Sequence, residues 1–172
     1  ADKGFDDAQT PDIARSAGVS VGTFYRYFSD KRQAFIEMIQ VHLDQSYERV
    51  MKNLTPEAFE ETRSDADRRA TIDHVIDVLF QNTGDNPELH RVFVGMSLRD
   101  PEVSRIRVAF EERSRRALAV LIEQIVSRDR IPDPLAAAEV IQIAAQEVAL
   151  ATIGLHGESP TRSGSAALRR SL

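Results

Sequence analysis

Three basic side chains lie close together near the amino-terminal end of the chain, and their chemistry suits a nucleic acid. Arg26, Lys31 and Arg32 fall in one short stretch whose only acid is Asp30. An arginine can donate two parallel hydrogen bonds to O6 and N7 of guanine, and a lysine can neutralise a phosphate. The alternative is an ordinary solvated helix end, where a few basic residues occur by chance. The surrounding sequence decides between these interpretations.

Two short helices are predicted around this patch. Thr10 followed by Pro11 indicates a helix start, because a hydroxyl can cap free N–H groups and proline is tolerated in the first turn. The helix should end at Gly18, since glycine readily adopts the left-handed conformation of a helix C-terminus. Ser20 should then cap a second helix over Val21–Phe28. Helices this short are unstable alone, so they should pack together with a third helix as a helix-turn-helix.

The second of these helices has two unlike faces. Phe24 and Phe28 are four residues apart, so they should lie on one side and belong to the core. The opposite side carries small, polar and aromatic side chains that should stay accessible. These outward residues are Val21, Gly22, Tyr25, Arg26 and Ser29.

The same stretch resembles the DNA-binding signature of the TetR family of transcriptional regulators, over about Lys3 to Met38. The matching residues are Thr10, Ile13-Ala14, Gly18-Val19-Ser20, Gly22-Thr23-Phe24-Tyr25-Arg26-Tyr27-Phe28 and Lys31. Val21 stands where the family commonly has lysine, so an apolar contact to a thymine methyl should replace a phosphate or base contact. We expect most of the family's first helix, which ends at a sequence like Lys3-Gly4-Phe5, to be missing from the given residues.

The resemblance implies a dimer that binds a palindromic operator in double-stranded DNA. The second helix of each subunit should enter successive major grooves on one side of the duplex. Arg26 is placed to read a guanine, while Thr23 and Tyr25 could contact bases or phosphates.

Phosphate contacts should surround the base contacts. Thr10, Tyr27 and Lys31 are expected to bind phosphates, assisted by the N-termini of helices. The complete set of predicted DNA-binding residues is Thr10, Ser20, Val21, Gly22, Thr23, Tyr25, Arg26, Tyr27 and Lys31.

The composition limits the possible partners and location. The chain has 172 residues and a net charge of −5, which argues against a protein that coats nucleic acid indiscriminately but not against a local reader. There is no cysteine, so no disulfide is expected. There is also no signal-peptide pattern and no charge-free apolar run of about 18 residues. We therefore expect a cytoplasmic protein without a membrane partner.

Beyond the motif the pattern is helical almost throughout. Apolar residues recur at spacings of three and four, and no segment shows convincing strand alternation. The sequence therefore predicts an all-α protein. Residues 1–53 should form a three-helix DNA-binding domain, with its first helix mostly missing, plus a connecting helix capped by Asp30. Residues 54–172 should form a helical effector-binding and dimerisation domain.

A helix predicted from Asp133 to Leu155 is apolar or small around nearly its whole circumference. Glu139 and Glu147 are its only charged residues after Asp133. Such a helix must be covered on both sides, either as a central core helix or by a second subunit. The resemblance favours a homodimer, because family members dimerise through their last two long helices. A second such helix is predicted after Ser163.

Glu147 should have mainly apolar neighbours on its helix face. A carboxylate in such a place must be paired, protonated or bound to a polar group. It could pair with an arginine from the basic face between Arg107 and Arg116, or it could line a ligand cavity.

A ligand cavity is predicted among the downstream helices. Phe93, Met96 and Phe110 would supply apolar lining, and Glu147 with His74 could bind a polar or cationic group. The alternative is that these side chains fill a dry core. The predicted ligand-binding residues are His74, Val78, Phe93, Met96, Phe110, Ile143 and Glu147.

These features predict a sequence-specific transcriptional regulator of TetR type, a repressor released from its operator by a small-molecule effector. As the resemblance implies, the effector would tilt the helix that follows Asp30 and so change the spacing of the two reading helices. The two alternatives are a helical-bundle, metal-dependent enzyme and a constitutive DNA-binding scaffold without effector.

We predict no catalytic residue, cofactor or metal site. No two histidines have the i, i+4 spacing of a helical zinc pair, and there is no phosphate-binding glycine loop or nucleophile elbow. Asp73, His74 and Asp77 could form half of a carboxylate-bridged metal site, but the second Glu-x-x-His copy is missing.

Overall fold

The structure is a computed structural model that describes residues 5–60 and 86–152, together with helical residues 66, 67, 69, 70, 73, 74 and 77. Every regular element in these ranges is a helix, which confirms the predicted all-α fold. The helices are α1 Thr10–Ser16, α2 Val21–Tyr27, α3 Lys31–Met51, α4 Pro56–Glu60, α5 Pro87–Ser97, α6 Pro101–Ile125 and α7 Pro134–Thr152.

Helices α1 and α2 pack against each other as the predicted helix-turn-helix. Gly18 has a φ of 69°, the left-handed conformation expected at this turn. The Ser20 hydroxyl caps α2 by accepting a hydrogen bond from the Thr23 N–H at 3.0 Å. The predicted cap at Thr10 is wrong by one residue. The carbonyl of Gln9 accepts the first two helical hydrogen bonds, at 2.9 and 3.1 Å, so Thr10 lies inside α1.

Helix α3 begins where the sequence predicts. Asp30 caps it by accepting a hydrogen bond from the Gln33 N–H at 2.8 Å. The helix ends at Met51, two residues before the predicted end at Asn53. One side of α3 is buried along much of its length, through Phe35, Ile36, Ile39, Leu43 and Ser46.

The largest buried cluster joins α3 to the downstream helices α5 and α6. Ile39 is 1% exposed and Val103 is fully buried. Burying a large aliphatic or aromatic side chain contributes about 1.5–3 kcal/mol, so this cluster holds the two parts of the chain together. Its buried members are Phe35, Ile36, Ile39, Leu43, Phe93, Met96 and Val103.

Among the residues that the structure describes, helix α7 packs on α6 with one of its sides. Ala138 is fully buried against Ala119 and Ile122 of α6. On other sides of α7, Val140 is 67% exposed and Ile143 is 52% exposed. The helix was predicted to begin at Asp133, and it begins one residue later, with Asp133 as a cap that accepts a 3.0 Å hydrogen bond from the N–H of residue 136. The predicted end at Leu155 lies outside the described residues.

The same helix contains a candidate membrane span, Pro134–Ala151, which qualifies by length and by a mean hydropathy of 1.2. Only 6% of this window is buried inside the structure, and it includes the exposed residues Glu139 and Glu147. A single helix of this kind is weak evidence for a membrane span. An uncovered apolar side is equally expected of a helix that packs against another subunit.

Candidate nucleic-acid interface

Most of the predicted DNA-binding residues are accessible on α2 and its cap. Tyr25 is 54% exposed and Tyr27 is 68% exposed, whereas Phe24 is buried and its ring centroid lies 5.2 Å from that of Phe28. The buried phenylalanine therefore anchors α2 and leaves the remaining side chains free to contact a ligand. We call this set the reading surface: Ser20, Val21, Gly22, Thr23, Tyr25, Arg26 and Tyr27.

Arg26 differs from most of the arginines that the structure describes in having no ion pair within the described residues. It is exposed, and α2 contains no acidic residue that could neutralise it. Arginines elsewhere are paired with acids, as in Arg15–Asp12, Arg32–Asp100, Arg91–Glu88, Arg99–Asp6, Arg107–Glu111, Arg113–Asp44 and Arg128–Glu123. The Arg26 guanidinium is therefore available to an external acceptor.

The threonines of the predicted site are half-buried. The hydroxyls of Thr23 and Ser20 lie 2.8 Å apart and organise the N-terminus of α2. Thr10 lies in the first turn of α1. Both threonines can therefore offer a hydroxyl at the margin of the reading surface but not at its centre.

The Lys31 ammonium, which was predicted to bind a phosphate, binds main-chain carbonyls of the protein. Its ammonium donates hydrogen bonds to the main-chain carbonyls of Phe5, Asp6 and Ala8, at 3.0, 2.7 and 3.0 Å. It also lies 5.1 Å from the centroid of the Phe5 ring. Since an ammonium has three donors, all of them are used within the protein. The structure thus makes Lys31 a support for the segment 5–8 and leaves no donor for a phosphate.

The predicted effector residues that the structure describes lie in different environments. Phe93 and Met96 are buried in the cluster between α3, α5 and α6, and Phe110 packs at its margin. Ile143 and Glu147 are exposed on α7. Their exposure separates these two residues from the buried cluster, and the predicted roles of Glu147, pairing with an arginine or lining a cavity, stay predictions.

The remaining two predicted effector residues lie on the helical stretch before α5. His74 is exposed, with Nε2 3.3 Å from the amide oxygen of Asn53. Val78 lies outside the described residues. Within the described parts of the chain, no group of three or more His, Cys, Asp or Glu side chains could hold a metal ion.

A groove of about 720 Å³ lies instead between α3, α4 and α6. On one wall the Arg113 guanidinium stacks 3.7 Å from the centroid of the Tyr47 ring and pairs with Asp44 at 2.7 Å. On another, Arg116 pairs with Glu112 at 2.6 Å. We call this the α3–α6 groove; it is lined by Tyr47, Leu54, Pro56, Ala109, Glu112, Arg113, Arg116, Ala117, Val120, Leu121 and Gln124.

A partly buried polar network connects α5, α6 and α7. The Arg107 guanidinium donates to Glu111 Oε1 at 2.7 Å and to the Ser97 hydroxyl at 3.2 Å. Glu111 also accepts a hydrogen bond from the Gln146 amide at 2.8 Å. The network fixes the three helices to one another.

Burial lowers the pKa of His90 on α5, and neighbouring positive charge lowers it further, so this imidazole is neutral at pH 7.

The exposed α2 and the helical body behind it define a helix-turn-helix protein with a second helical domain. Residues 1–38 match the family model for bacterial regulatory proteins of the tetR family. Residues 67–170 match the model for a tetracyclin repressor-like C-terminal domain. The chain therefore belongs to the TetR family of transcriptional regulators.

Two solved structures share this fold. A candidate TetR-family transcriptional regulator from Mesorhizobium loti MAFF303099 is 22% identical with a TM-score of 0.72, covering 96% of this chain and 81% of that one. A candidate transcriptional regulator from Pseudomonas aeruginosa PAO1 is 17% identical with a TM-score of 0.70, covering 98% of this chain and 79% of that one. No curated protein matches the chain significantly.

The role of Lys31 can be tested by Lys31→Met, which keeps most of the apolar stem but removes the ammonium. Losing the three hydrogen bonds should lower the free energy of unfolding by about 1–3 kcal/mol, measured by chemical denaturation. The salt dependence of binding to random-sequence duplex DNA should stay unchanged, because no phosphate contact is lost. Lys52→Met is the matched control. Unchanged stability with a salt slope reduced by about one ion would instead restore the predicted phosphate contact.

Proposed function

We propose that the chain is a repressor that binds a palindromic operator in double-stranded DNA as a homodimer and is released by a small-molecule effector. The observation that carries the proposal is the unpaired, exposed Arg26 on a reading surface without acidic residues. Membership of the TetR family supports the same conclusion. Such a regulator acts in the cytoplasm.

The reading surface has the chemistry needed for the major groove. Arg26 can donate to O6 and N7 of guanine, and Val21 can contact a thymine methyl. Tyr25, Tyr27 and the hydroxyls of Thr10 and Thr23 can bind bases or phosphates around them. Lys31 is left out of this set because its donors are used within the protein.

Gly22 supplies a test of close approach to the DNA. A Cβ added there would meet only the Ser20 hydroxyl, at 3.8 Å, which is an ordinary contact. The protein itself therefore has no steric need for glycine at this position. Glycine would be required here if the backbone of α2 approached the edges of the bases closely, because a Cβ would then collide with them.

The operator-reading role can be tested by selecting bound sequences from a random duplex library, followed by affinity measurements on two variants. Arg26→Ala should weaken binding by about 1–3 kcal/mol and relax the preference at one base pair per half-site. Gly22→Ala should raise the free energy of unfolding by about 0.5–1 kcal/mol, as alanine favours helix, yet weaken operator binding. Arg128→Ala is the control. If Arg26→Ala changed neither affinity nor preference, α2 would not be the reader.

The exposed side of α7 supports the homodimer. The described residues cover this long apolar helix only in part. Burial of apolar surface contributes about 25 cal/mol per Å², so a second copy on this side is favourable. The segment after Ser163, which we also expect at the interface, lies outside the described residues.

The interface can be tested by Val140→Arg, which places a charge on the exposed side of α7. Burying an unpaired charge in a subunit interface is strongly destabilising, so this variant should sediment as a monomer at micromolar concentration, where the unmodified protein is a dimer. Val41→Arg is the matched control, since Val41 is 56% exposed on α3. A dimer that survives Val140→Arg unchanged, or an unmodified protein that is monomeric, would contradict the proposal.

The α3–α6 groove is the proposed effector site. The groove is open to solvent in the part of the chain that the structure describes, and its volume of about 720 Å³ is large enough to hold a small molecule. Apolar surface dominates its lining, and the polar groups come from Tyr47, Glu112, Arg113, Arg116 and Gln124. An effector with an apolar body and one polar group fits this arrangement best.

The groove can be tested with the fluorescent probe anilinonaphthalene sulfonate, which combines apolar rings with an anionic group. Ala117→Phe should fill part of the groove and weaken probe binding by about tenfold, since the added ring occupies space that the probe needs. Ala17→Phe adds the same ring in the helix-turn-helix and serves as the control. Equal binding to the unmodified protein and to both variants, measured by fluorescence titration, would place the probe elsewhere and remove the support for this groove.

A further inference from the structure

The N-terminus of α3 is joined to the corner between α5 and α6 by a forked ion pair. Arg32 Nε donates to Asp100 Oδ2 at 2.5 Å, and a terminal nitrogen of the same guanidinium donates to Asp100 Oδ1 at 2.8 Å. That nitrogen also lies 2.8 Å from Glu102 Oε2. Two parallel bonds from a planar guanidinium to a carboxylate fix orientation as well as distance. The partners are 68 and 70 residues apart in the chain.

Asp100 is held from the other side as well. Its Oδ1 accepts hydrogen bonds from the N–H groups of Glu102 and Val103, at 2.9 and 3.3 Å, and so caps α6. Its side chain is only 12% exposed. The Arg32 guanidinium, and to a smaller degree these two N–H groups, keep the pKa of Asp100 well below its usual range. The carboxylate therefore stays charged at neutral pH, with little freedom to change rotamer.

A second ion pair spans the same junction. Arg99, the residue before Asp100, lies 2.8 Å from a carboxylate oxygen of Asp6. Asp6 belongs to the segment whose carbonyls bind Lys31. The α5–α6 corner thus contacts the DNA-binding unit at two separate places. We call Asp6, Arg32, Arg99, Asp100 and Glu102 the corner contact.

The corner contact lies close in sequence to the reading helix α2 and can therefore affect the orientation of that helix. Arg32 is in the first turn of α3, and only residues 28–30 separate α3 from the reading helix α2. Deeper along α3, Phe35 and Ile39 pack in the shared apolar cluster with Val103 of α6. The cluster fixes one stretch of α3, and the corner contact fixes its beginning. Together they define the angle at which α2 is presented.

We propose that Arg32 and Asp100, supported by the rest of the corner contact, are positioning residues that set the separation of the two reading helices in the dimer. The inference rests on the proposed function, because it requires a dimer on a two-half-site operator. If the contact served only to stabilise the fold, its loss would lower the melting temperature and leave the discrimination between half-site spacings unchanged. A positioning role predicts a change in the number of base pairs that the protein prefers between the half-sites. No residue of the corner contact is proposed to touch those base pairs.

The experiment measures affinity for the selected operator and for versions with one base pair inserted or removed between the half-sites. The unmodified protein should bind the altered spacings at least tenfold more weakly. Arg32→Gln and Asp100→Asn should reduce this discrimination to about threefold or less, while the preferences within each half-site stay unchanged. Asparagine can still cap α6, so Asp100→Asn removes the charge without removing the cap. Arg128→Gln, in an exposed ion pair outside the corner, is the control and should keep the full discrimination.

The double variant, which combines Arg32→Gln and Asp100→Asn, shows whether the two residues act through one shared interaction or affect DNA binding separately. If the two residues act through their shared ion pair, the double variant should discriminate spacings no worse than either single variant. Full discrimination in all variants would overturn the inference, even if their melting temperatures fell, because the contact would then be only structural. If the unmodified protein selected no two-half-site sequence, the proposed function itself would fail.

Discussion

The buried side of α3 is the constraint on which the rest of the structure depends. Helix α3 is continuous over 21 residues, about 30 Å, and serves both the DNA-binding unit and the helical body. Phe35 contacts the ring of Phe5 in the first unit, with centroids 5.1 Å apart, and shares a buried cluster with Met96 and Val103 of the second. Because close-packed side chains transmit displacement, neither unit can turn far without repacking this cluster.

The distribution of charge follows from the same architecture. The chain is acidic overall, with a net charge of −5, yet many of the acids that the structure describes pair with arginines on the helical body and at the corner contact. At physiological ionic strength, salt screens electrostatic interactions beyond about 8–10 Å. A bound ligand therefore interacts mainly with the charged groups close to its site. Helix α2 itself contains Arg26, hydroxyl and aromatic side chains and no acid. An acidic protein can therefore present one unpaired arginine on a hydrogen-bonding surface.

Local signals in the sequence predict local structure well. The caps at Ser20 and Asp30 follow from a side chain and an N–H three residues later, and both were predicted and are present. The role of Lys31 was not predictable, since its partners lie 23 to 26 residues away in the chain and are main-chain carbonyls without a side-chain pattern. For Phe93, size and apolarity predict burial but cannot tell core from cavity lining. The groove was missed because Arg113 and its neighbours have the composition of a solvated face.

Helix α6 is the element that connects these parts. Its N-terminus is capped by Asp100 in the corner contact, its first turns bury Val103 in the shared cluster, and farther along it lines the groove through Ala117 and packs on α7 through Ile122. Because α6 takes part in all of these contacts, a displacement at the groove would reach both the corner contact and the packing against α7. In the proposed function, an effector with unequal affinity for two positions of α6 would therefore act on the geometry of DNA reading and on the proposed dimer together.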